Sequence, residues 1–225
     1  RLRRLQLFLL IGFAFTMAGF GLKLPFWNGR INNLFIVALG INTLLMFLSK
    51  GKDERKFSYN ILIFGLVFLI HLPGLLIADN FRNGLFELEK KISLFVFPFI
   101  IYYQPNIKYT DFKKILLTFV AGTFVTTIYC LTVAAVNFFE TGDPSLFFYH
   151  KLSLLAGMHA IYLSLYLFFS MLILLFLFFE EKKSTAQLFM LWATIFFIVV
   201  CMVLLSARTN LALLVVFVIA YAMVK

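Results

Sequence analysis

Apolar stretches long enough for a membrane crossing recur along this chain, separated by short polar gaps. A helix needs about 20 mostly apolar residues to cross the hydrocarbon core of a bilayer. Seven runs meet that need: Leu5–Leu22, Ile31–Leu48, Tyr59–Ala78, Ile115–Phe139, Gly157–Phe179, Leu188–Leu205 and Asn210–Val224. An eighth stretch, Leu85–Tyr103, is ambiguous. Glu87, Glu89, Lys90 and Lys91 crowd its first half, and Pro98 interrupts its apolar half. It either crosses the membrane or lies at the surface and dips in.

Charge decides between these arrangements. If the eighth stretch crosses, one side of the membrane carries 13 of the 20 basic residues and the other carries 7. If it does not, every later loop changes side and the split becomes 9 against 11. The tendency of Lys and Arg to collect on the cytoplasmic side selects the first arrangement. The pattern therefore predicts about eight spans with both ends of the segment cytoplasmic. The outward loops are then Lys23–Arg30, Asp79–Leu85, Glu140–Met158 and the short turn Ser206–Thr209.

Composition removes the soluble alternatives. The 225 residues are 63% hydrophobic and 13% charged, with a mean hydropathy of +0.99. Ordinary globular chains are about 45–50% apolar and about 25% charged. A chain this short cannot bury such an excess within itself. The expected fold is an all-α, polytopic transmembrane helical bundle, a single transmembrane domain over 1–225. A net charge of +10 would suggest nucleic acid in a soluble protein. Here the basic residues sit in the gaps between runs, so no nucleic-acid partner is expected and membrane lipids are. Cys130 and Cys201 lie in apolar runs, with neither a disulfide framework nor metal-ligand spacing. The first run is long and no small-residue cleavage site follows it, so no signal peptide is expected. Because the sequence opens on Arg1 and its last run stops at Lys225, it is read as a segment of a longer chain.

Candidate chemistry is confined to polar residues at the outward ends of the runs. Phosphate-binding glycine loops, HExxH and nucleophile elbows are absent, and no metal site is expected. Arg208 sits in the notch Leu204-Leu205-Ser206-Ala207-Arg208-Thr209-Asn210. An arginine at mid-membrane costs about 2.5–3.5 kcal/mol on insertion scales, so it is interfacial or paired. Either it caps a helix end and snorkels to headgroups, or its planar fork holds a phosphate or diphosphate. His159, Tyr162 and Tyr166 fall at i, i+3 and i+7, on one helix face. They line an outward cavity or form an interfacial aromatic stripe. His71, before Pro73-Gly74, reads as a kink residue rather than a ligand. Arg82, Lys90, Lys91, His150 and Lys151 complete an outward basic set that would draw an anionic lipid-linked substrate.

Three stretches in this order resemble the O-antigen ligase and polymerase family of bacterial envelopes. The first runs from Ala78-Asp79-Asn80 through Glu87-Leu88-Glu89-Lys90-Lys91 into Leu94-Phe95-Val96-Phe97-Pro98. The second is Tyr149-His150-Lys151-Leu152 with Met158-His159-Ala160-Ile161-Tyr162-Leu163-Ser164. The third, Leu205-Ser206-Ala207-Arg208-Thr209, is similar to the Ser-Arg signature of the family's conserved domain, here with Ala207 between the two. That domain would begin near 188–225.

The resemblance implies transfer of a polysaccharide from undecaprenyl diphosphate to lipid A–core oligosaccharide, at the outer face of a bacterial inner membrane. Polymerisation of the glycan is the alternative within the family. No cofactor is implied. The expected substrate-binding residues are Arg208, His159, Lys151 and Arg82, holding diphosphate or glycan. The general base is expected beyond Lys225, in a large outward loop that such proteins carry. A lipid or solute transporter shares this hydropathy and is the competing class. Its better markers are inverted repeats and paired broken helices, and only the interruptions at Pro73-Gly74 and Pro98 suggest it.

Overall fold

A computed structural model of the chain describes residues 2–18, 30–49, 59–77, 80–91, 93–103, 107–179, 184–206 and 208–224. Every regular element among them is helical. In order they are α1 (Leu2–Ala18), α2 (Arg30–Ser49), α3 (Tyr59–Leu69), α4 (Gly74–Ile77), α5 (Phe81–Lys91), α6 (Ser93–Tyr103), α7 (Tyr109–Thr141), a 3-10 turn (Pro144–Phe147), α8 (Tyr149–Leu154), α9 (Ala160–Phe179), α10 (Thr185–Leu204) and α11 (Arg208–Val224).

Four of these, rather than the expected eight, are long and apolar enough to cross a membrane among the described residues: Ile31–Ser49, Tyr109–Thr141, Ala160–Phe178 and Thr185–Leu204. The shortfall has local causes. Tyr59–Ala78 does not form one helix. α3 stops at Leu69, and the chain turns through His71 and Leu72 before Pro73, which has no N–H to continue a helix. Leu85–Tyr103 divides into polar α5 and apolar α6. Eleven residues of helix reach about 16 Å, roughly half of a 30 Å hydrocarbon layer. α1 and α11 are 17 residues each, and Arg3 and Arg4 occupy the first turn of α1.

The chain divides into two compact units. The first comprises Arg1–Leu10 and Asn33–Lys108, the second Ile11–Asn32 and Tyr109–Lys225. In the first, α3 packs along α6. α2 also approaches α6 closely, with a Cβ at Gly40 landing 3.3 Å from Val96 Cγ1. Phe47 lies 4.7 Å from Tyr103 between ring centroids. A polar knot joins α1 to α2. Asn42 Nδ2 donates to Gln6 Oε1 at 2.7 Å, and Gln6 Nε2 donates to Thr43 Oγ1 at 3.0 Å. Amide and hydroxyl groups paired this way hold helices together where no hydrophobic force separates protein from lipid.

The second unit is organised around α9, which touches α7, α8, α10 and α11. Leu163, Leu167, Ile198, Met202 and Leu205 are all sealed in its core. α7 presents small residues at four-residue intervals, Gly122, Thr126, Cys130 and Ala134, all buried. Such a stripe lets backbones approach closely. Thr123, Thr126 and Thr127 each donate to the carbonyl four residues back, so no hydroxyl there faces hydrocarbon unpaired. α10 begins at Thr185 because Ser184 and Gln187 close a reciprocal capping box.

Candidate functional site

Alternation of direction along α7, α9, α10 and α11 sets two segments at one end of the second unit: the chain from Thr141 to Ala160, and the turn between α10 and α11. Gly142, at φ +70°, stops α7, and its N–H is donated to Phe138 O at 2.8 Å. Asp143 then caps the 3-10 turn, with Pro144 next in line. Its carboxylate accepts the Ser145 N–H at 3.0 Å and the Ser145 hydroxyl at 2.5 Å. It also accepts the Lys151 ammonium at 2.9 Å.

This network fixes both the loop and the carboxylate's chemistry. The Ser145 hydroxyl, then the Lys151 ammonium, then the Ser145 N–H hold the Asp143 carboxyl down at about 2. A depressed carboxyl adds stability fully above its ordinary pKa near 4, and loses it as pH falls through the folded value. The 143–151 loop should therefore keep its amide protection at pH 5 and lose it progressively between about pH 4 and 2. Hydrogen-exchange protection factors of this loop would show the loss. In Asp143→Asn the same loop should be unprotected at every pH, and a pH-dependent loop in that variant would contradict the assignment.

Beyond the turn the backbone is strained. Tyr149 adopts φ +49°, a left-handed conformation rare for a bulky residue, and Gly157 at φ +65° closes the far side of α8. The result brings together two histidines nine residues apart in sequence. The rings of His150 and His159 meet edge to face at 3.9 Å between centroids. Tyr149 packs on His150 at 4.2 Å and Tyr162 lies 6.5 Å from His159. His159 Nδ1 accepts the Ile161 N–H at 3.3 Å, capping α9 with a ring nitrogen. An accepting Nδ1 carries no proton, so Nε2 bears it and is a donor.

The α10–α11 turn closes on the same end. Leu205 is buried in the core. Ser206 follows at φ +46° and donates its hydroxyl to Val203 O at 3.2 Å. Asn210, 3% exposed, donates Nδ2 to the Ile161 carbonyl at 2.8 Å. That bond ties the first turn of α11 to the first turn of α9, two residues from His159. Arg208 opens α11 and is exposed; among the described residues it makes no ion pair.

Of the sequence-predicted residues, Arg208, His159 and Lys151 share this end, and Lys151 is occupied with Asp143 and Ser145. Arg82 belongs to the first unit, exposed in the first turn of α5, where Asn80 Oδ1 accepts its backbone N–H at 3.0 Å. The side chains of Glu87, Glu89 and Lys90 lie outside the described residues. Sequence reasoning missed the roles of Tyr149 and Asn210, and the Asp143–Lys151 pair. Asp-Pro-Ser, a capping acid followed by proline at the first helical position, was the available signal for the last. A groove of about 350 Å³ at the opposite end of the unit, between α7, α9 and α10, contains none of the predicted residues. Among the described residues no three His, Cys, Asp or Glu gather as metal ligands.

The four long apolar helices make this chain a multi-pass helical membrane protein. No protein-family model, curated protein or solved structure matches it.

Proposed function

We propose that this end of the second unit binds the diphosphate and glycan of a lipid-linked polysaccharide during its transfer to lipid A–core oligosaccharide. In this reading the chain lies in a bacterial inner membrane with the Arg208–His159 end facing outward. The observation that carries it is the contact of His150 and His159 at 3.9 Å, at the end where Arg208, exposed and without an ion pair among the described residues, opens α11. Transfer from a lipid diphosphate builds negative charge on the leaving oxygens, and preorganised donors stabilise that charge best where water is partly excluded. Arg208 supplies a two-pronged cation. His159 supplies Nε2–H. Lys151 acts through Asp143 and Ser145 to hold the loop that presents His150. The exposed rings of Tyr149 and Tyr162 offer amphipathic faces beside them.

Reconstitution tests the reaction. Proteoliposomes holding the undecaprenyl diphosphate glycan and lipid A–core should yield glycan covalently joined to the core. Longer glycans still on the lipid diphosphate would identify a polymerase. Donor crossing the bilayer with no new linkage would identify a transporter and end the transferase reading. Orientation is checked separately. Cys130 and Cys201 are buried, which leaves little background for an impermeant thiol reagent. In intact spheroplasts Glu140→Cys should label and Ser184→Cys should not; the reverse pattern would invert the proposed orientation.

A further inference from the structure

The first unit contains a cavity that this reading leaves unused. α3 ends at Leu69, and three backbone bonds of 3.0 Å carry the chain through the turn: Ile70 N–H to Leu66 O, His71 N–H to Phe68 O and Leu72 N–H to Leu69 O. α4 follows and packs on α5. Between the turn and α5 lies a cavity of about 270 Å³. His71 lines it from the turn, Gly74 from the start of α4, and Gly84, Leu88 and Lys91 from α5. Those α5 positions are i, i+4 and i+7, one face of the helix. Arg82 is two residues from Gly84 and falls on another face. A Cβ placed on Gly74 meets nothing within 4 Å, so the space beside it is open.

Two polar groups in this cavity make opposite demands. His71 Nδ1 lies 2.8 Å from the Val67 carbonyl oxygen. A carbonyl only accepts, so Nδ1 carries the proton and the neutral ring keeps Nε2 as an acceptor. Lys91 is half-buried and brings a positive charge with donors only. A ligand satisfying both needs an anionic oxygen and, next to it, a hydroxyl with a hydrogen to give. Inorganic phosphate as the dianion also has one hydroxyl, but on the same phosphorus as its anionic oxygens, and its five non-hydrogen atoms leave about half of the cavity empty. A phosphorylated polyol offers both. The cavity holds the volume of about nine waters at roughly 30 Å³ each, room for a headgroup of about ten non-hydrogen atoms. An ionisable residue in an apolar helical setting is by default a functional candidate.

We propose that this cavity binds the phosphoryl group of a polyol or sugar phosphate, Lys91 holding its anionic oxygens and His71 Nε2 accepting an adjacent hydroxyl. The inference rests on the first unit alone and stands whether or not the chain transfers glycans. The same chemistry is presented by a water-soluble polyol phosphate and by the headgroup of phosphatidylglycerol.

Titration of the full chain in phosphatidylcholine nanodiscs separates these cases, with glycerol 3-phosphate and inorganic phosphate as probes. Glycerol 3-phosphate should bind saturably and at least tenfold more tightly than inorganic phosphate. Lys91→Met and His71→Gln should each weaken it tenfold or more. Gly74→Leu, which fills the open space, should abolish binding, whereas Gly74→Ala should retain it. If nanodiscs containing phosphatidylglycerol suppress glycerol 3-phosphate binding, the natural source is the lipid; if they do not, it is the soluble compound. The proposal fails if inorganic phosphate binds as tightly as glycerol 3-phosphate. It fails equally if correctly folded Lys91→Met binds like the parent, or if neither probe binds and no phosphatidylglycerol is retained.

Discussion

In the proposed transfer reaction, replacing Arg208 by lysine should lower attachment of polysaccharide to lipid A–core by about ten- to a hundredfold, with the protein still inserted at its normal level. The scale follows from the contact proposed for this residue. A hydrogen bond to a charged group is worth about 1.5–3 kcal/mol, and each 1.4 kcal/mol is about a factor of ten. Lysine keeps the charge but not the planar fork, so a bidentate grip on two phosphate oxygens is lost. Folding should not suffer. Arg208 is exposed at the first residue of α11, where a cation opposes the helix dipole by about 0.3–1 kcal/mol. Its removal therefore favours the helix slightly and separates activity from stability. The readout is core-linked polysaccharide together with accumulated undecaprenyl-linked donor. Near-normal attachment in an inserted Arg208→Ala protein would reduce this arginine to a helix-end anchor, and the transferase reading would lose the cation it places on the diphosphate.

Gly122→Ala destabilises the second unit, against the usual sign for such a change in a helix. Glycine in a helix interior ordinarily costs about 0.5–1 kcal/mol relative to alanine. Here the added Cβ would overlap the Phe15 carbonyl oxygen, and would lie 3.0 Å from the carbonyl carbon and 3.2 Å from Cα. Every obstructing atom is backbone, so no rotamer change relieves the overlap and α1 has to withdraw from α7. Overpacking of this kind costs about 1–3 kcal/mol. Thermal unfolding in detergent measures it. A higher midpoint for Gly122→Ala than for the parent would mean that α1 and α7 do not meet at this glycine.

How far the sequence foretold this molecule depended on whether an apolar run was interrupted. Ile31–Leu48 and Leu188–Leu205 became α2 and α10 with ends displaced by at most three residues, because each run is continuous and its flanks are polar. Tyr59–Ala78 has the same average character, but averaging conceals what Pro73 does to the backbone. The site divides in the same way. That Arg208 and His159 share one end follows from counting helix reversals between them. The pairing of Lys151 with Asp143, and of His150 with His159, follows from a left-handed Tyr149 and a turn at Gly157. Neither has a periodic trace, since each pair meets across irregular backbone rather than along a helix face.

The length of α7 has a consequence for the loop it carries. Its apolar part, Ile115–Phe139, is 25 residues, about 37 Å of helix against about 30 Å of hydrocarbon. α10, with 20 residues, fits upright at about 30 Å. α7 is long enough to span the same layer with some tilt, one of the ways in which a membrane helix absorbs excess length. A thicker bilayer lets it stand straighter and a thinner one presses it over. Because Gly142 and Asp143 follow directly from its last turn, the pitch of the helix is also the pitch of the loop bearing His150, so bilayer thickness acts on the histidine pair through a lever already built into the chain.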